Sequence, residues 1–104
     1  MRLRKDIMTD EDLRLVAMVG DGLGHPLRVE LFRFIYRENL RRRDVCNKDL
    51  VGSFDYAQST ISQHMNKLVS CGLIDVKRRG TANYYYVNLG MLGRYINAVK
   101  LLRE

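Results

Sequence analysis

With 104 residues the chain has room for one domain, and a domain of this size buries only a moderate core, so self-association would add to its stability. Eighteen Lys and Arg against 12 Asp and Glu leave a net charge of +6, a bias toward polyanionic partners, while apolar residues (46%) occur in runs too short to cross a bilayer. Membrane proteins and disulfide scaffolds are therefore excluded: Cys46 and Cys71 stand 25 positions apart without Cys-x-x-Cys spacing and read as free thiols.

The opening Met1-Arg2-Leu3-Arg4-Lys5-Asp6 is charged and leads into no apolar stretch, so no signal peptide is expected and the cytoplasm is the expected compartment. Thr9 and Asp12 form a capping-box pattern, and Leu13, Val16, Val19 and Leu23 follow at helical spacing, which predicts a first helix from Asp10 to Leu23. Gly22, Gly24 and Pro26 interrupt it, and a second helix opens at Pro26 with Leu27, Leu31, Phe34 and Ile35 as its core stripe, fading near Asn39. Arg41 to Arg43 read as a loop.

Asp44 is the expected cap of a short third helix carrying Val45, Leu50, Val51 and Phe54; Asp55 and Tyr56 end it before a fourth helix begins near Ala57. In that fourth helix Ile61, Met65 and Leu68 make the buried stripe, and Gly72 stops it. Leu73 to Lys77 and Asn83 to Val87 are rich in Ile, Val and Tyr around an Arg79-Gly80-Thr81 turn, a hairpin signature. A last helix from Leu89 to Leu102 places Leu92, Tyr95, Ile96, Val99 and Leu102 on one side with nothing after it to cover them.

The expected architecture is thus mainly α with a small β-hairpin, order α-α-α-α-β-β-α over a single domain 1–104, the layout of a winged helix-turn-helix. Base reading needs side chains that both donate and accept without binding phosphate indiscriminately, and Gln58, Ser59, Thr60, Ser62 and Gln63 supply that chemistry on the fourth helix. An isolated polar face would be mere solvated surface; the short helix before it and the basic hairpin after it favour DNA. The Lys77, Arg78 and Arg79 cluster is the electrostatic counterpart. Apolar residues left over on the first helix (Leu15, Met18) and the last (Leu92, Tyr95, Ile96, Val99) are the expected homodimer interface. No Gly-rich phosphate loop, carboxylate pair or nucleophile motif points to an enzyme. The competing function is a winged-helix module for protein or RNA contact, which would show an exposed apolar patch in place of a basic wing.

Four stretches carry a family resemblance: Leu23-Gly24-His25-Pro26-Leu27-Arg28, Gln58-Ser59-Thr60-Ile61-Ser62-Gln63-His64-Met65-Asn66-Lys67-Leu68, Ser70-Cys71-Gly72-Leu73-Ile74, and Arg78-Arg79-Gly80 with Tyr84-Tyr85. Together they resemble the ArsR/SmtB family of repressors. The resemblance implies a dimer bound to double-stranded operator DNA, with Gln58, Ser59, Ser62 and Gln63 on bases and Lys77, Arg78 and Arg79 on phosphates. Arg43, Lys67 and His64 are further backbone candidates, His64 being equally readable as surface or core. The chain departs from the family pattern in the turn, with Asp55 in place of a glycine and Ala57 in place of a capping serine. Asp55 is expected to take the left-handed conformation, and Gly52 within the third helix costs about 1 kcal/mol relative to alanine.

Many members of the family sense metal through Leu-Cys-x-Cys-Asp-Leu on the third helix. Here the stretch is Val45-Cys46-Asn47-Lys48-Asp49-Leu50, one thiol and a lysine whose charge opposes a cation, and Leu89 to Glu104 holds no histidine for the alternative zinc site. No metal and no cofactor are expected, and the effector is unknown. Cys46, beside Lys48 and the arginine cluster, is a candidate thiol sensor, whereas Cys71 is expected to pack.

Overall fold

The computed structural model describes residues 8–104; Met1 to Ile7, the subject of the signal-peptide expectation, lie outside it. Among the described residues the elements run α1 (Asp10–Leu23), α2 (Pro26–Leu40), β1 (Val45–Cys46), α3 (Asn47–Ser53), α4 (Gln58–Ser70), β2 (Ile74–Arg79), β3 (Ala82–Val87) and α5 (Leu89–Lys100), with a final 3-10 turn at Leu101–Arg103.

Local hydrogen bonds explain the helix starts. The Thr9 hydroxyl accepts the Asp12 N–H and the Asp12 carboxylate accepts the Thr9 N–H, both at 3.0 Å, closing the predicted capping box. His25 caps α2 by accepting the Leu27 N–H at its Nδ1 (3.0 Å), and Pro26 fills the first turn, where its missing N–H costs nothing.

The third helix begins later than expected. Val45 and Cys46 are not helical: they form β1, which pairs antiparallel with Tyr85 and Tyr84, so the sheet has three strands in the order β1-β3-β2. Asp44 therefore does not cap α3; Cys46 precedes it, and its N–H donates to the Asp49 carboxylate at 2.9 Å. The loop before β1 turns on Arg42 in the left-handed region (φ 62°), and the Asn39 side chain ties it down by donating to the Arg43 carbonyl and accepting the Val87 N–H. Asp55 is not left-handed: Arg42 is the one non-glycine residue with positive φ among those described, and the α3–α4 turn is made by extended Phe54 and Ala57 instead.

Leu31, Ile35, Leu50, Ile61, Met65, Leu68, Leu73 and Ile74 are all but fully buried, so α2, α3, α4 and the root of the hairpin share one core. On α1 the buried stripe is Leu15, Val19 and Gly22, whereas Leu13 is 51% exposed. Leu15 therefore belongs to the protomer's own core and leaves the expected dimer set, because α5 packs over that face of α1 and buries Ala98. Gly22 is dictated by a close approach: a Cβ there would lie 2.4 Å from the Cys71 Sγ. Cys71 is accordingly buried at the end of α4, the packing role expected of it. Met18 (45% exposed) and Ile96 (46%) remain open, while Leu92 and Tyr95 lean on the core and Val99 is half-buried.

Candidate nucleic-acid interface

The fourth helix has two faces with different fates. Ile61, Met65 and Leu68 anchor it in the core, which turns Gln58, Ser59 and Gln63 to solvent and leaves Thr60 and Ser62 half-exposed. None of these five side chains takes part in an intramolecular hydrogen bond among the described residues, so their donors and acceptors stand free for a ligand. Lys48, Val51 and Gly52 of α3 line a shallow hollow with Gln58 at the head of α4.

His64 and Lys67 each have a partner within the chain. His64 is drawn back from the free face: its Nδ1 is 2.9 Å from the Arg28 Nη1, and its ring packs 4.6 Å from that of His25. Lys67 is ion-paired with Asp21 at 2.9 Å, and the ammonium holds that carboxyl below the usual range. His64 is thus engaged within the chain, whereas the Lys67–Asp21 pair is solvent-exposed and leaves Lys67 as open to exchange its partner as Arg43 and Arg79 are.

The wing is basic as expected, and its strands run two residues nearer the tip on one side and one on the other, with Gly80 (φ 60°) and Thr81 as the turn. Strand alternation places Asp75, Lys77 and Arg79 on one face with Ala82, Tyr84 and Tyr86, and Val76 and Arg78 on the other with Asn83 and Tyr85. Lys77 lies 5.5 Å from the centre of the Tyr86 ring and Arg79 lies 4.4 Å from that of Tyr84. Arg79 also pairs with Asp44 at 3.2 Å and donates to the Tyr86 hydroxyl. Arg78 donates to the Gly80 carbonyl (3.3 Å) and the Asn83 side chain (3.5 Å), and Arg43 pairs with Glu38 at 3.4 Å. At the wing's root Tyr85 is buried, which raises its phenol above the ordinary value, and its oxygen accepts from the Asn47 amide at 3.1 Å.

Cys46 sits half-buried at the head of α3, with Lys48 exposed in the first turn. Among the described residues no group of three or more His, Cys, Asp or Glu side chains converges as a metal site. The residue that sequence reading passed over is Arg28, the one charged side chain buried among those described (8% exposed). Its signal was present: positions 28, 31 and 35 lie on one helical stripe, so an arginine occupies a core position of α2.

Comparison with known proteins agrees with this layout. Residues 38–76, from the end of α2 into β2, match the bacterial regulatory protein, arsR family. An uncharacterised HTH-type transcriptional regulator of Methanocaldococcus jannaschii is 25% identical over 77 residues, covering 74% of this chain and 82% of that protein. An arsenical resistance operon repressor of Staphylococcus xylosus is 32% identical over 75 residues, 72% of this chain and 66% of the repressor. In structure, an ArsR-like transcriptional regulator from Rhodococcus sp. RHA1 superposes with a TM-score of 0.73 over 86% of this chain and 80% of that one, at 20% identity.

Proposed function

Since the chain belongs to the arsR family of bacterial regulatory proteins, we propose that it represses transcription as a homodimer, its two α4 helices entering successive major grooves of an operator. The observation that carries this reading is the unpartnered, uncharged face of α4 (Gln58, Ser59, Thr60, Ser62, Gln63) flanked by a basic wing. The face supplies hydrogen bonds to base edges, and Lys77, Arg78, Arg79 and Arg43 supply phosphate contacts. Met18 and Ile96, with the half-buried Val99 and the exposed Leu102 beyond them, form the surface on α1, α5 and the final 3-10 turn that a second copy would cover.

Control by arsenite or zinc through a thiolate pair finds no support in this chain, because Lys48 stands where the second cysteine would be needed. The test is footprinting on the DNA upstream of the protein's own gene. Protection of two inverted half-sites about 10 base pairs apart is the expected result; protection without symmetry, or none at concentrations that give a dimer in sedimentation, would refute the reading.

A further inference from the structure

The buried guanidinium of Arg28 is explained neither by core packing nor by contact with DNA. Its Nε donates to the Gly22 carbonyl at 2.7 Å and its Nη2 to the Asp21 carbonyl at 3.2 Å, both in the last turn of α1, while its Nη1 meets the His64 Nδ1 at 2.9 Å. A guanidinium has only donors, so the His64 Nδ1 must accept, and the imidazole must be neutral with its proton on Nε2. One turn further along α4, Lys67 pairs with Asp21, and one turn beyond that Cys71 packs on Gly22. The end of α1 thus meets the recognition helix along a single stripe at positions 64, 67 and 71.

We propose that Arg28 and His64 form a proton-gated latch that positions α4 against the end of α1, closed while His64 is neutral and opened when it is protonated. His64 is then a positioning residue and makes no phosphate contact. An imidazolium has no lone pair for Arg28 and sets a second cation against a buried one. The charged or titratable groups against His64 are Arg28 from α2 and the His25 ring at the α2 cap; the nearby end of α1 carries the Asp21 carboxylate, which is exposed and paired with Lys67. No carboxylate is ion-paired with His64 among the described residues. Burial, then His25, then Arg28 hold the His64 pKa below 6.5. The sign follows: below 6.5 and above the folded-state pKa the unfolded chain binds more protons, so stability declines as pH falls through that window and then levels off.

The effect on DNA rests on the repressor reading; the latch itself does not. The test pairs two measurements from pH 7.5 to 5.5: the imidazole nitrogen NMR signals of the DNA-free protein, and its affinity for a duplex selected from a random pool. The expected spectrum shows a neutral His64 protonated on Nε2 at pH 7.5 that titrates below 6.5. Affinity is expected to fall by up to about tenfold per pH unit below that pKa for each protomer that must shed a proton. A phosphate contact from His64 has the opposite sign, because an added charge tightens binding to DNA; tighter binding in acid overturns the latch. His64→Asn, whose Oδ1 stands near the position of Nδ1 and does not titrate, should flatten the pH profile, and an unchanged slope also overturns it. Proton on Nδ1, or titration above 6.5, overturns it without reference to DNA. The expected spectrum in a protein that binds no duplex would sink the repressor reading and leave the latch standing.

Discussion

The recognition helix and the wing are prepared for a polyanion in opposite ways. On α4 the side chains of Gln58, Ser59 and Gln63 are exposed and unbonded, whereas on the wing every cation already has a partner: Lys77 a tyrosine ring, Arg78 the turn carbonyl and Asn83, Arg79 a ring, a hydroxyl and Asp44. On the proposed reading the helix would gain new hydrogen bonds on binding, while the wing would exchange old partners for phosphates and gain less per residue. In return the wing's long side chains are ordered before DNA arrives, so less entropy is lost on contact. Specificity should reside in the helix and salt dependence in the wing.

The largest change is expected from Ile96→Glu, which places a charge in the surface a second copy would cover and so unlinks the two half-sites. Operator affinity should drop by about 10² to 10⁴ with both surfaces intact, and sedimentation should show monomer. A monomeric variant that keeps full affinity would show that one helix and one wing suffice.

Gln58→Ala or Ser62→Ala should cost about 1 to 3 kcal/mol on the operator with little change on random duplex. Equal losses on both duplexes would erase the distinction between the surfaces. Arg78→Ala should weaken binding to all sequences alike and lower the salt slope by about one for each phosphate it no longer neutralises. Arg79→Ala should weaken binding more than Arg78→Ala, because it also leaves the Asp44 carboxylate unpaired beside the DNA. Binding titrations at several salt concentrations separate the two.

No effect at all is expected from low micromolar arsenite or zinc on operator affinity. Release of DNA by either would mean that ligands converge across the dimer from positions far apart in sequence. Should an oxidant release DNA, Cys46→Ser ought to abolish the response if Cys46 is the sensing thiol.

What the sequence by itself determined are the features written in a few consecutive residues. The Thr9–Asp12 capping box, Pro26 at the head of α2, the Ile61, Met65 and Leu68 stripe and the Gly80 turn depend on neighbours within one or two turns of chain, so spacing alone reveals them. The polar face of α4 followed for the same reason, since one side of a helix is free once the other is known to be buried. Tertiary structure decided the rest. Val45 became a strand because Tyr85, 40 positions away, offered it a ladder, and no local pattern encodes that pairing. Leu15, not Leu13, became core because α5 returns over that side of α1, a choice between two apolar faces that periodicity leaves open. His64, which the sequence left readable as surface or core, was drawn inward by Arg28, because a buried charge must find its partners wherever the fold brings them.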